Sequence, residues 1–283
     1  MPDIGLLNGD FMPLDRLMVP VEDRGYQFGD GVYEVIRTYH GAPFQVEAHL
    51  ARLDRSARAI ELVSPHRLEQ WRQWIEEGIR RAGYGESKVY LQLTRGVAPR
   101  DHAFPSQVRP TAVLTVRQMM EINPALRTTG VEVMTLEDLR WARCDIKSLN
   151  LLGNVMARQR AKMAGAFEAI FVRNREVTEG AVSNVMIVRD GVVITPPEDH
   201  RILAGITRRL VLDLARKHGI GARERVVTAE DFHRADEIFL TGTTVEVLAV
   251  VRIDGKPVKT GRPGPVTSQL FNWFADEYLR PTG

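Results

Sequence analysis

At 283 residues with 44% hydrophobic content, the chain can bury a sizeable core and has a length that tends to divide into about two domains. Its 38 Lys and Arg against 36 Asp and Glu leave a formal charge of +2, which excludes the polyelectrolyte balance of a nucleic-acid or anionic-membrane binder. The single cysteine, Cys144, excludes an intrachain disulfide and has no Cys or His cluster around it, which points to a reducing compartment and no metal site.

The N-terminal stretch MPDIGLLNGDFMPLD lacks a basic start followed by an apolar core, and no later run approaches the ~18 apolar residues of a membrane helix. The expectation is a mature, soluble, cytoplasmic chain. From Glu47 to Val63, Leu50, Leu53, Ala57 and Ile60 recur at helical spacing, and Leu68 to Ala82 repeats the pattern and closes on Gly83. KVYLQLT (88–94) alternates Val89, Leu91 and Leu93 with polar residues as a half-buried strand does, and TAVLTV follows Pro110 as a further strand. The pattern breaks at INPAL. Beyond it GVEVMTL, EAIFV, NVMIV, VVIT, DEIFLT and EVLAVV read as strands, with Asp190-Gly191 and Asp254-Gly255 as tight hairpin turns. Helices are expected at about 151–164, 207–218 and 268–278. The fold class is therefore α+β, with a small domain over 1–121, a linker over 122–127 and a large domain over 128–283 that includes Lys147.

Four segments can carry chemistry. In RCDIKSLNLLGN (143–154), Lys147 sits beside Ile146, Leu149, Leu151 and Leu152. A lysine stem covering apolar surface is the commonest use of such a residue; the functional use is an amine held where it is nucleophilic toward a carbonyl. VTEGAVSN (177–184) lies between EAIFV and NVMIV and reads alone as a turn, but beside Lys147 the carboxylate of Glu179 could keep a cofactor's ring nitrogen protonated. In ILAGITRR (202–209), Gly205 opens a helix near Thr207. Its amides and dipole suit a phosphate, although Thr207 could be only an N-cap; LTGTTVE, with Gly242 and Thr243, adds hydroxyls and close backbone approach. Finally, EDRGYQFGDGVYEVIRTYHG (22–41) and TRGVAPRDHAFP (94–105) supply Tyr33, Arg100 and His102. These could be ordinary loop charges, or together a trap for one carboxylate.

Taken in order, RGYQFGDGVYE, TRG with PRDHAFP, RWARCDIKSLNLLGN, TEGAVSN, LAGITR and LTGTTVE resemble the fold-type IV pyridoxal-phosphate aminotransferases, nearest to those acting on D-amino acids. The resemblance runs from about residue 4 to the last helix. It implies a two-domain α+β fold with pyridoxal 5'-phosphate at the domain interface, held covalently by Lys147 and through its ring nitrogen by Glu179. It also implies phosphate contacts from Arg52, Gly205, Ile206, Thr207, Gly242 and Thr243, with Leu203 packed on the ring. Tyr33, Arg100 and His102 would hold the substrate α-carboxylate, the latter two reaching in from the neighbouring subunit of a homodimer, and Val35 would line the side-chain pocket. Gly242 and the AVS of 181–183 depart from the family's serines. The implied reaction passes an amino group from a D-amino acid such as D-alanine to a 2-oxo acid, 2-oxoglutarate or pyruvate.

Three relatives of the same fold compete: an L-branched-chain aminotransferase, an R-amine transaminase and an aminodeoxychorismate lyase. The first normally carries a tyrosine after the asparagine that follows the lysine, where this chain has Leu151 and Leu152. The second has little use for an α-carboxylate trap. A pyridoxal-phosphate carrier without catalysis would need the phosphate cup but not Lys147, Glu179 and the trap together.

Overall fold

The computed structural model describes residues 2–279. Met1 and residues 280–283, which the expected domains include, lie outside the described residues. The chain divides into two compact units: 1–120 with 146–150, and 121–145 with 151–283.

The first unit contains β1 (Ile4–Leu7), β2 (Asp10–Pro13), α1 (Arg24–Phe28), β3 (Gly31–Tyr39), β4 (Ala42–Pro43), α2 (Val46–Ala59), α3 (Leu68–Ala82), β5 (Ser87–Thr94) and β6 (Thr111–Gln118). Its sheet is antiparallel in the order β2-β1-β6-β5-β3-β4. Trp71, Ile75, Ile79 and Ala82 lie three or four residues apart on α3, with Trp74 beside them, so one stripe of that helix is buried, and Gly83 ends it with φ +66. That stripe joins Leu6, Ile36, Leu91, Leu93 and Leu114 in one core. Helix α2 buries not only Leu50, Leu53 and Ala57 but also His49, Arg52 and Ser56. These polar residues at i, i+3 and i+7 share a face.

The second unit contains α4 (Ala125–Thr129), β7 (Val131–Glu137), α5 (Leu152–Met163), β8 (Glu168–Arg173), β9 (Glu176–Gly180), β10 (Asn184–Arg189), β11 (Val192–Thr195), α6 (Ile206–Lys217), β12 (Ala222–Glu224), β13 (Val227–Thr228), α7 (Ala229–His233), β14 (Glu237–Gly242), β15 (Glu246–Ile253), β16 (Lys256–Pro257) and α8 (Pro265–Phe274). Nine strands run β12-β11-β10-β14-β15-β7-β8-β9-β13, with β16 added on β15. Pairs β15/β7, β7/β8 and β11/β12 are parallel. Helix α5 packs on β8, and α6 and α8 pack on β14.

The hairpin turns form as expected: Asp190 and Gly191 (φ +49, +74) join β10 to β11, and Asp254 and Gly255 (φ +49, +77) join β15 to β16. Two expectations are corrected. Ile146–Asn150, and with it Lys147, groups with the first unit rather than the second. The reason is local: Ile146 enters the first core, and Ser148 bridges Val32. The segment from Val177 is not a turn: Glu176–Gly180 is a strand, and the chain reverses earlier, at Asn174-Arg175 (φ +51, +65). The 122–127 stretch, expected as a linker, is packed against the second unit's core. Ile122 and Leu126 pack on the second core, and Arg127 donates to the carbonyls of Val245 and Val247 at 2.7 and 2.6 Å.

Candidate active site

In the first unit the lysine segment lies along β3. Tyr33 N donates to Lys147 O and Leu149 N to Gly31 O, both at 3.0 Å, while Lys147 N donates to Ser56 Oγ at 3.2 Å. Gly31 permits this approach, since a Cβ there would stand 2.6 Å from Leu93 O and 2.9 Å from Leu149 Cδ1. The Lys147 side chain is half-buried, and its Nζ lies 4.3 Å from the centroid of the Tyr33 ring. Among the described residues no carboxylate pairs with that amine. A quadrupole contact without an acid keeps a lysine near an aromatic face but leaves its nitrogen available.

Strand alternation sorts β3 into two faces. Tyr33 and Val35 share one and are half-buried. Their cross-strand partners on β5 are Gln92 and Tyr90; the Tyr33 and Tyr90 rings stack at 5.7 Å, and Tyr90 Oη donates to Gln92 Oε1 at 2.7 Å. The other face carries Glu34, fully buried against α2. Its Oε1 accepts from Arg52 Nε at 2.7 Å, and its Oε2 from Arg52 Nη2 at 3.0 Å and lies 2.7 Å from His49 Nδ1. Burial raises the Glu34 carboxyl, but Arg52 and His49 outweigh it and hold it at about 2. Burial lowers the His49 imidazole. Thus Arg52 arrives with its guanidinium oriented by a buried anion.

Arg100 and His102 are exposed and gather on Phe28 at the end of α1. The Arg100 guanidinium lies 4.4 Å above that ring, the His102 ring 5.4 Å from it, and Arg100 Nη1 donates to Gln27 O at 3.2 Å.

In the second unit Glu179 sits near the end of β9, 6% exposed. Its Oε1 accepts from Arg140 Nη1 at 2.6 Å; its Oε2 accepts from Leu203 N at 3.0 Å and Asn184 Nδ2 at 3.2 Å. Arg140 is anchored in turn on Asp138, through Nε to Oδ1 at 3.0 Å and Nη2 to Oδ2 at 2.9 Å. Burial pulls the Arg140 guanidinium down, yet Asp138 and Glu179 raise it on balance; burial likewise raises Asp138, and Arg140 lowers it on balance. Asp138 and Arg140 therefore form an ion pair, and Glu179 accepts from the same guanidinium. Nearby Cys144 is pushed up to about 11 by burial, so its thiol stays protonated and is no nucleophile.

Asn184 links this carboxylate to the start of α6. Its Nδ2 also donates to Leu203 O at 2.9 Å, and a Cβ on Gly205 would meet its Oδ1 at 1.9 Å. Gly205 must be glycine for that helix to begin beside Asn184. No side chain caps α6, so its first-turn amides point outward with the positive end of the dipole behind them, and the buried Thr207 adds a hydroxyl. Gly242 ends β14, Thr243 lies in the turn after it, and the hydroxyl of Thr241 is buried without a protein partner. Such a set suits a phosphate. No group of three or more His, Cys, Asp or Glu among the described residues could hold a metal.

The structure thus brings Lys147 to Tyr33, Arg100 to His102, and Glu179 to Leu203 and, through Asn184, to Gly205. It also adds residues that the motifs do not point to: Glu34 and His49 beside Arg52, Phe28 beneath Arg100 and His102, and Arg140 and Asn184 on Glu179. Phe28 and Glu34 lie within RGYQFGDGVYE, Arg140 opens RWARCDIKSLNLLGN and Asn184 ends TEGAVSN, but none has a role there until its contacts are seen. The D-x-R spacing of Asp138 and Arg140 is the one local signal for their pairing.

Residues 31–253 match the family described as amino-transferase class IV. Over 280 residues, 98% of this chain and 97% of the other, the sequence is 43% identical to a D-alanine aminotransferase of Listeria monocytogenes. Over 277 residues, 98% of each chain, it is 42% identical to a D-alanine aminotransferase of Bacillus licheniformis. Among solved structures, the branched-chain amino acid aminotransferase of T.th. with pyridoxamine 5'-phosphate is similar at a TM-score of 0.91 and 26% identity, covering 99% of this chain and 96% of that one.

Proposed function

The chain belongs to the amino-transferase class IV family, and from that premise we propose that it exchanges the amino group of a D-amino acid, D-alanine among them, for the oxo group of a 2-oxo acid, with Lys147 and Glu179 serving the reacting centre. It is a transaminase of fold type IV with pyridoxal 5'-phosphate as its cofactor. The observation that carries the choice of D-substrates is identity of 43% over nearly the whole chain to D-alanine aminotransferases, against 26% to a branched-chain enzyme of the same fold.

When bound, the cofactor supplies an aldehyde that condenses with amines and a ring that accepts electrons released at the substrate's α-carbon. The protein's residues do the rest. Lys147 Nζ holds the cofactor at rest, then takes the α-proton from the substrate and gives it up again as the amino group is transferred. Glu179, fixed by Arg140, Asn184 and the Leu203 amide, offers a preorganised negative charge that keeps the ring nitrogen protonated, an effect of roughly 3 kcal/mol or more. The amides of Ile206 and Thr207, the turn at Gly242 and Thr243, and Arg52 bind the phosphate; Leu203 packs on the ring. Tyr33, Arg100 and His102 bind the substrate carboxylate, and Val35 limits the side chain.

A homodimer follows from the same reading, with Arg100 and His102 serving the partner's site. Support comes from apolar side chains left exposed on α5, Leu152, Val155, Met156 and Met163, which a second copy of the chain would cover. No helix among the described residues is long and apolar enough to cross a membrane, and the lone, unpaired Cys144 supports placement in the cytoplasm.

One half-reaction tests the proposal. D-alanine added to the cofactor-loaded protein without acceptor is expected to convert the cofactor to its amine form with release of one equivalent of pyruvate. Conversion by L-leucine but not D-alanine would favour the branched-chain reading; conversion by (R)-1-phenylethylamine alone would favour an amine transaminase.

A further inference from the structure

We propose that Arg24 is a positioning residue for substrate carboxylate binding: anchored on Asp30, it sets the loop that carries Arg100 and His102. The inference rests on the reading of those two residues as carboxylate ligands.

Arg24 is the first residue of α1 and is buried, 3% exposed. A buried guanidinium needs partners for its donors, and here each nitrogen has one. Its Nε donates to Asp30 Oδ2 at 2.8 Å; Nη1 reaches Asp101 O at 2.5 Å and Nη2 reaches His102 O at 3.4 Å. The two carbonyls belong to the loop that presents Arg100 and His102. The same guanidinium lies 4.8 Å over the Phe28 ring, the ring on which Arg100 and His102 also rest. Arg24 therefore fixes the backbone of the trap while Phe28 fixes its side chains.

The anchor is itself built. Asp30 Oδ2 accepts a second bond, from Arg95 Nε at 2.9 Å, whose other nitrogens donate to the carbonyls of Ile60 and Glu61 at 2.7 and 3.0 Å. Arg24 N donates to Gly96 O and Arg95 N to Asp30 O. Gly96, with φ +106 and only 2.0 Å from a would-be Cβ to Arg109 O, fixes the base of the loop. Two guanidiniums share one carboxylate, which ties the start of α1 and the strand end at Arg95 to a single anchor.

The test compares Arg24→Met and Arg24→Lys with Arg100→Ala on the holoenzyme, using D-alanine and D-alaninol, in which a hydroxymethyl group replaces the carboxylate. For Arg24→Met we expect KM for D-alanine to rise about tenfold with kcat within about twofold, kcat/KM for D-alaninol unchanged, and faster amide hydrogen exchange over residues 100–104. Arg24→Lys should fall between, since one ammonium cannot span Asp30 and both carbonyls. Unchanged KM for D-alanine in Arg24→Met, with Arg100→Ala impaired, would overturn the inference, as would equal losses on both substrates. Unchanged KM in Arg100→Ala would overturn the carboxylate reading of Arg100 and the inference with it. Should Arg24→Met fail to fold, Arg24→Lys carries the test: a raised KM for D-alanine with kcat/KM for D-alaninol unchanged is expected, and wild-type KM in that variant would overturn the inference.

Discussion

Glu168 offers a sharp check on the electrostatics around the candidate site. It opens β8 with no exposure to solvent. Its Oε1 accepts from Val182 N at 2.6 Å, and its Oε2 is buried without a partner. Burial raises its carboxyl to about 7, against the lowering effects of the Val182 amide, Arg158 and Ser183, while Glu179 adds to the rise. The ordinary value of 4.5 describes the unfolded chain, so the difference corresponds to about 3 kcal/mol. The sign is set by an acid whose folded value lies above its unfolded one. Its contribution to stability is complete below about 4.5, falls as pH rises toward about 7, and changes little beyond. Glu168→Gln removes the titration while keeping the shape. Urea unfolding of both proteins at pH 5, 6, 7 and 8 with saturating pyridoxal phosphate should show the wild-type stability, relative to the variant, falling by roughly 1.4 kcal/mol per pH unit up to about 7. Parallel pH dependences of the two proteins would refute an elevated Glu168.

Arg140→Met removes the guanidinium shared by Asp138 and Glu179, leaving Asp138 with Arg173 and Thr178 and Glu179 with Asn184 and the Leu203 amide; unfolding free energy is expected to drop by about 3 kcal/mol, and kcat by roughly tenfold or more, whereas full kcat in the folded variant would show that Glu179 does not depend on it. Glu34, held at about 2, behaves opposite to Glu168: its folded value is depressed, so its contribution is present above about 4.5 and is lost as pH falls toward 2. The stability advantage of wild type over Glu34→Gln should shrink by about 2 kcal/mol between pH 7 and pH 3, and a constant difference in denaturant titrations would contradict it. At Gly242 a Cβ would meet nothing nearer than Val245 Cγ2 at 3.4 Å, so Gly242→Ser is expected to fold normally and to bind pyridoxal phosphate about fivefold more tightly through the restored hydroxyl; weaker binding in a fluorescence titration would tell against it.

What can be read from the sequence is what local chemistry dictates. Helices α2 and α3 declare themselves because Leu50, Leu53 and Ala57, or Trp71, Ile75 and Ile79, repeat at helical spacing, and the Asp-Gly turns because both residues need positive φ. The turn at Asn174-Arg175 also takes positive φ at both residues but has no glycine, so strand β9 is hidden and Glu179 looks like a loop residue. Polar residues turned inward are equally invisible. His49 and Arg52 interrupt an amphipathic pattern as surface residues would, and only the buried Glu34 opposite them explains their direction. Lys147 is legible through its neighbours. Its grouping with the first unit is not, because Ile146 in the first core and the bridge from Ser148 to Val32 are contacts between segments far apart in the chain.

The central claim is that the amine of Lys147 bonds covalently to pyridoxal phosphate. Borohydride reduction of the cofactor-loaded protein followed by peptide mapping tests it directly. The phosphopyridoxyl group is expected on the peptide containing Lys147, in one equivalent per chain, and abolished in Lys147→Ala. A reduced protein carrying no label at position 147, or carrying it on another lysine, would contradict the claim.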